Sequence, residues 1–565
     1  MSEKKNTVIK QASFLMAATL ICRVIGLLYR SPLHGIMGDV GDGYYSFAYE
    51  WYNMILLIAS YSIPMAVSKV MAELLAVRQF KNAQKVFHAA LLYVTVVGLI
   101  GAAAAYFGAP FFLAKQPDAV LALRVMAPTI FLSGFLGVLR GYFQAQNTMM
   151  PTAVSQIGEQ IVNAVISVAA AWFMTRPYAA DANLTGKFGA AGGTIGTGAG
   201  VVTGLLIMAG IYFLNRRFIL KRLGRDRTGE LKTLTDCLKL ILLMVTPVLL
   251  ATCVYNLSGI VDQTLFTWLM PLKGFTAEQI STQYALFGYQ FRPIINIPIA
   301  LASATSTALI PAVAASIASK DTQAAEGKIT STVSFTMFLA IPSAVGIAVL
   351  SLPIIRILYP GANQNAAAVL LSLGAVSVIF YCLSTVTNGV LQGLGKPSLP
   401  VCHAAAALAV NAVVLTVGVA LFNMGIAAVM LATILYAMTV SFLNALSLKK
   451  IIPYKTDIRR AYLEPLAAAA VMGVVVGALY WGMAALLPSL IGRYLFNALW
   501  TVFVVLAGML TYAVAYVLIS RKNADELKRM PMGTRILQVF RLLHIPVRET
   551  AVDGKPDNKK AGKGR

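Results

Sequence analysis

The stretch 139–165 reads LRGYFQAQNTMMPTAVSQIGEQIVNAV: an apolar segment ends in a polar elbow, and a second apolar segment opens at Pro151. Its markers recur far along the chain. Gly141, Gln144 and Asn163 are echoed by Gly389, Gln392 and Asn411 with the same spacings of three and nineteen residues, and Pro400 takes the place of Pro151. A second echo keeps the same order, Ile63-Pro64-Met65-Ala66-Val67 against Ile297-Pro298-Ile299-Ala300-Leu301, each inside a long apolar run. Hydrophobic segments doubled in this way are the trace of a transporter built from two related helical bundles.

The rest of the chain agrees with that reading. At 565 residues, 58% hydrophobic and 12% charged, it is too apolar for a water-soluble protein of this size, and an all-α polytopic membrane protein is expected. The first apolar run, 12–29, carries Arg23 and lacks a small-residue cleavage site, so it is expected to stay as the first span. The five cysteines are scattered through apolar runs and read as packing residues.

Apolar runs long enough to cross a bilayer begin near residues 10, 44, 87, 121, 152, 189, 238, 284, 331, 366, 400, 426, 465 and 495, which predicts about fourteen spans. The formal charge of +24 could suggest nucleic acid, but the segments on one side of these spans hold 36 of the 46 Lys and Arg, and those on the other hold six. That asymmetry predicts a cytoplasmic location for both termini and no role for nucleic acid. The expected organisation is an N-lobe of helices one to six (1–215), a basic linker (216–237), a C-lobe of helices seven to twelve (238–450), helices thirteen and fourteen (451–520) and a basic tail (521–565), its last fifteen residues disordered.

Charges inside apolar spans are expensive and therefore informative. Arg23, Glu50 and Arg292 fall at similar depth on spans one, two and eight. Opposite charges there would hold one another ionised. Arg30, seven residues after Arg23 with Gly26 between, either extends a cationic lane on the same helix face or snorkels, as Arg124 does. Lys69 ends span two as a cavity group or an inner anchor. Gln156, Glu159 and Asn163 form a polar stripe that either glues helices or lines a cavity, a choice that extends to Gln144, Gln392 and Asn411. Asp262 reads as a cavity group or as loop beyond span seven.

The glycines of Gly186–Gly204 have spacing for close helix contact. They form no phosphate-binding loop, because no Gly-Lys-Ser/Thr follows. The four histidines show no metal-ligand spacing, and no catalytic triad or ATP motif stands out, so neither an enzyme nor a cofactor is expected. Transport would then draw on the membrane potential, a monovalent cation or the substrate gradient.

Ser62-Ile63-Pro64-Met65-Ala66-Val67-Ser68-Lys69 with Ala72-Glu73, Leu139-Arg140-Gly141-Tyr142-Phe143-Gln144, and Pro151 to Ile157 with Glu159-Gln160 resemble the stage V sporulation protein B and polysaccharide-transporter branch of the MOP exporter superfamily. That branch includes lipid II flippases related to MurJ. The resemblance implies two six-helix lobes plus two helices that form a lipid-facing groove, with spans one, two, seven and eight around a cationic cavity. Many relatives carry Arg shortly after the Glu-Gln pair, where this chain has Asn163.

Its implied function is flipping of an undecaprenyl-pyrophosphate-linked saccharide, lipid II first, by alternating access in the bacterial cytoplasmic membrane. The expected substrate site is Arg23, Arg30, Glu50 and Arg292. The expected partners are the lipid-linked oligosaccharide, membrane lipids and cell-wall synthesis proteins, around a monomer. Alternatives are export of a capsular or spore-wall unit, ion-coupled drug antiport, a membrane-embedded glycosyltransferase, or a structural role in wall assembly.

Overall fold

The computed structural model describes residues 2–226, 229–319, 321–361, 363–452 and 457–520, and the expected basic tail lies outside them. The described residues are almost entirely helical, with no strand among them. The N-terminal half comprises α1 (Ser2–Leu28), α2 (Arg30–Leu56), α3 (Ile63–Ala76), α4 (Phe80–Phe112), α5 (Val120–Ala145), α6 (Met150–Thr175), α7 (Ala182–Leu214) and the short α8 (Arg216–Leu223). Next come α9 (Leu234–Leu269), α10 (Ala277–Ala285), α11 (Arg292–Ala318), α12 (Thr322–Val349), α13 (Ser351–Leu358), α14 (Gln364–Gly374), α15 (Ser377–Gly393), α16 (Ser398–Ala420) and α17 (Ile426–Ile451). The chain finishes with α18 (Glu464–Leu486), α19 (Pro488–Ile491) and α20 (Tyr494–Ser520).

Among the described residues ten helical stretches are long and apolar enough to span a membrane, and an eleventh is the pair α14 and α15, bent by 43°. The chain is a multi-pass membrane protein. Length and composition do not by themselves reach the expected fourteen, although α1, α9 and α11, of 27, 36 and 27 residues, stand where spans one, seven and eight were expected.

Three of the long stretches are interrupted by a π-helical segment just before a proline: Leu57–Tyr61 before Pro64, Leu286–Phe291 before Pro293, and Arg459–Leu463 before Pro465. Proline lacks an N–H and its ring crowds the carbonyl four residues back, so the preceding turn widens instead of breaking. Other starts are set by side chains. Asp181 accepts from the backbone N–H groups of Asn183 and Leu184 at α7, and Thr233 and Thr276 complete capping boxes at α9 and α10.

The glycines of α7 serve the close packing expected of them. A β-carbon at Gly192, Gly196 or Gly200 would meet Ala171, Ser167 or Glu159 of α6, and one at Gly186 or Gly189 would meet Gly41 or Met37 of α2. The elbow echo has a similar basis, with a shifted register. A β-carbon on Gly141 would meet the Pro64 carbonyl and Val67 Cβ, and one on Gly393 would meet the Ile310 carbonyl and Val313 Cβ. The counterpart of Gly141 is thus Gly393, four residues beyond Gly389, and the counterpart of the Pro64 segment is Ile310–Val313 in place of Ile297–Leu301. The sequence offers an Ile-Pro at both places, and only packing separates them.

The two lobes meet over α2 and α10. Ser281 Oγ donates to the Val40 carbonyl at 2.9 Å, Phe47 stacks on Tyr284 with centroids 4.6 Å apart, and Gly43 and Gly288 leave room for Ser281 and Ser46. The opposite side carries the basic α8 and the start of α9. There α9 reaches from one lobe to the other. Cys237, Ile241 and Val245 of α9 are buried in one cluster with Val86, Val94 and Leu136 of the N-lobe, while Asp262 and Tyr255 further along α9 bond to α16 and α17. Helices α18 and α20 pack on each other and α18 on α12, with the Tyr480 hydroxyl donating to Asn497 Oδ1 at 2.7 Å.

Candidate functional site

Helix α11 begins as the π turn Leu286–Phe291 closes, so Arg292 leaves the helix where its register has just been displaced. Its guanidinium lies 4.9 Å from the Phe287 ring, and its Nη1 donates to Glu50 Oε2 of α2 at 2.6 Å. Arg292 Nη2 also stands 4.0 Å from Asp262 Oδ2 of α9. Both members of the Arg292–Glu50 pair keep part of their side chain open, 24% and 19%. The close approach depends on Gly259 of α9, where a β-carbon would strike Glu50 Oε1.

Asp262 is not loop. It lies within α9, is buried, and accepts from Asn411 Nδ2 at 2.9 Å and from Thr433 Oγ1 at 3.4 Å. Asn411 therefore serves this acid, whereas its sequence echo Asn163 accepts from Ser167 Oγ at 3.0 Å within α6. The polar stripe on α6 is turned to helix packing. Glu159 accepts from Arg140 Nη2 at 2.7 Å, Arg140 Nε donates to Ser155 Oγ at 3.1 Å, and Glu159 and Asn163 lie against Gly200.

Arg23 is exposed on α1 and makes no hydrogen bond or ion pair among the described residues. Lys69 is exposed on α3, on one face with Met65 and Glu73, and Asn296, Ser303 and Thr307 form an exposed polar face on α11. Polar faces on apolar helices need water or a polar ligand beside them. Gln144 is half-buried and Gln392 exposed.

Arg30 stands apart from the other cations and has no acid partner within the described residues. Its Nη1 donates to the Tyr289 carbonyl at 3.1 Å, its guanidinium lies 4.6 Å from the Tyr289 ring and 5.8 Å from that of Tyr45, and the Tyr289 hydroxyl donates back to the Arg30 carbonyl at 3.3 Å. Arg30 thus ties the start of α2 to the π turn of the other lobe. Arg124 is half-buried, and its Nε donates to the Tyr106 carbonyl at 3.2 Å.

Sequence reasoning missed a polar cluster around the break at Gly38 near the start of α2. His34 Nδ1 lies 2.7 Å from Asp42 Oδ2, both buried, and Gln290 Nε2 donates to Asp39 Oδ1 at 3.3 Å. The signal was present as His, Asp and Asp on either side of Gly38, whose φ of +66° permits the tight reversal.

The family model described as "Polysaccharide biosynthesis protein" matches residues 8–317, and the one described as "MatE" matches 247–417. Curated relatives include "Lipid II flippase MurJ" of Bacillus subtilis (strain 168), 25% identical over 403 residues that cover 68% of this chain and 73% of that one. "Stage V sporulation protein B" of the same organism is 23% identical, covering 94% of this chain and 99% of that one. Among solved structures, "Lipid II flippase MurJ, inward closed conformation" superposes with TM-score 0.60 at 15% identity, over 90% of this chain and 98% of that one. An inward-facing "multidrug resistance MATE family transporter of the MOP superfamily" reaches 0.56 at 15% identity, over 78% and 94%. These two show a shared fold. The chain belongs to the polysaccharide biosynthesis protein family, within the MOP superfamily and of MurJ- and stage V sporulation protein B-like type.

Proposed function

We propose that this protein moves a lipid-linked saccharide bearing a pyrophosphate, lipid II first among the candidates, from the inner to the outer leaflet. The observation that carries the reading is the arrangement of cations. Arg23 is exposed and without an ionic partner among the described residues, while Arg292 keeps part of its guanidinium open beside Glu50. A pyrophosphate leaving water needs donors in place of its hydration shell, and guanidinium groups offer them in planar, bidentate form. Glu50 competes for Arg292 and so limits how tightly an anion is held. Lobes closed over α2 and α10, with polar faces on α3 and α11 beyond, suit a site open to one side at a time.

The coupling we propose is to the membrane potential or to a monovalent cation. Asp262, Asn411 and Thr433 bring oxygen donors from α9, α16 and α17 to one buried point, and Asn411 Oδ1 has no partner among the described residues. A leaflet-accessibility assay for lipid II in cells depleted of this protein tests the main reading. Outward appearance is expected to fall; unchanged appearance in a strain with no compensating flippase removes lipid II as substrate.

A further inference from the structure

His34, Asp39 and Asp42 form a cluster that the transport reading does not use. One ligand atom from each, the His34 ring nitrogen and a carboxylate oxygen of each aspartate, lies within 4.8 Å of the other two. His34 and Asp42 are buried, Asp42 completely, and Asp42 Oδ1 has no hydrogen-bond partner among the described residues. An orphaned carboxylate oxygen in the interior is costly and calls for a donor or a cation.

A second, independent group points to the same place from the other lobe. Gln290, in the π turn before α11, is fully buried; its Nε2 makes only a long contact of 3.3 Å to Asp39 Oδ1, and its Oε1 has no partner among the described residues. The oxygen and nitrogen of such an amide are exchanged by a half-turn. That turn would set Oε1 against Asp39, an arrangement that a cation between them would favour. Arg30 makes no hydrogen bond to either carboxylate among the described residues, its Nη1 donating to the Tyr289 carbonyl instead.

We infer that His34, Asp39, Asp42 and Gln290 form a binding site for a divalent transition-metal ion of the zinc or manganese class at the junction of the two lobes. A mixed set of one imidazole nitrogen and carboxylate and amide oxygens suits such ions better than magnesium or calcium, which favour oxygen alone. Binding requires His34 to give up its contact with Asp42 Oδ2 and turn a ring nitrogen to the metal. Because three ligands come from the N-lobe and Gln290 from the C-lobe, the ion acts as a clamp on the contact of α2 with the π turn. The binding measurement needs no lipid substrate, so its outcome is separate from that of the flippase reading.

The test is calorimetric titration of the purified full-length protein in nanodiscs with zinc, manganese or magnesium chloride, together with thermal unfolding. One equivalent of zinc or manganese is expected to bind and raise the unfolding temperature, with magnesium far weaker. His34→Gln and Asp39→Asn are each expected to weaken binding by more than the roughly 10–100-fold that loss of a ligand's supporting group costs. Gln290→Leu, which leaves the N-lobe ligands intact, is expected to bind more weakly and to show a correspondingly smaller rise in unfolding temperature. No binding of zinc or manganese by the wild type, or equal affinity in the wild type and in variants with unchanged unfolding temperature without metal, would overturn the site.

Discussion

Arg292 Nη1 and Glu50 Oε2 are 2.6 Å apart although 242 residues separate them in the chain, so one ion pair ties the C-lobe helix α11 to the N-lobe helix α2. Removing either partner leaves the other partly buried and uncompensated. Glu50→Gln and Arg292→Gln are each expected to cost about 1–3 kcal/mol of stability, reduced from the fully buried case by the water that reaches both groups. The double variant should cost less than the two added together, by about 0.5–3 kcal/mol. Thermal unfolding in detergent measures this, and strict additivity would show that the pair contributes nothing.

Gly259→Ala probes the same pair without altering a charge. The new methyl would occupy the position of Glu50 Oε1 and crowd Arg292 Nη2. Its expected effect is therefore loss of transport comparable to that of Glu50→Gln, with the protein still inserted. Normal complementation by Gly259→Ala would show that the close approach of α9 to the pair does not matter for function.

Arg23→Ala should abolish transport while leaving the unfolding temperature nearly unchanged, since the side chain is exposed and bonds to nothing among the described residues. Arg23→Lys should recover only part of the activity, because an ammonium cannot present the planar fork. Complementation and unfolding measured together decide the matter: a large fall in stability for Arg23→Ala would assign Arg23 to the scaffold.

Exposure of the two ends should alternate. Ser281 is buried where the lobes meet, and Ser303 is exposed on the polar face of α11. In a background without the five native cysteines, Cys at 303 should react with an impermeant reagent added from the inner side, and Cys at 281 only when the lobes part at α2 and α10. A lipid-linked substrate should shift the two rates in opposite directions. Rates that rise or fall together would contradict exchange between two closed ends.

The helical membrane class was legible because it rests on apolar run length and composition, which act over tens of residues. Glu50 and Arg292 were legible as costly charges. Their pairing was not, because depth along two helices does not fix which faces meet, and Arg23, at similar depth, stays apart from both. Asp262 lay beyond the expected end of span seven, and only the full length of α9 places it against Asn411. His34 and Asp42 fall between the first apolar run, 12–29, and the second, which begins near 44, so they drew no notice. Histidine spacing alone could not reveal a cluster whose other members are aspartates across a glycine reversal and a glutamine in the opposite lobe.

Helix α9 rests its first turns on α3 and α4 and bonds its later ones to α16 and α17, over a length of about 54 Å at the standard rise. It is a passenger of neither lobe. Any rotation between them must be absorbed as curvature of this one rod, whose sequence places Pro247 and its missing N–H near the middle of the span. The balance between the two arrangements is then partly an elastic quantity. A substitution that stiffens or softens the rod would retune the cycle without touching a charge, a ligand or the mouth of the cavity.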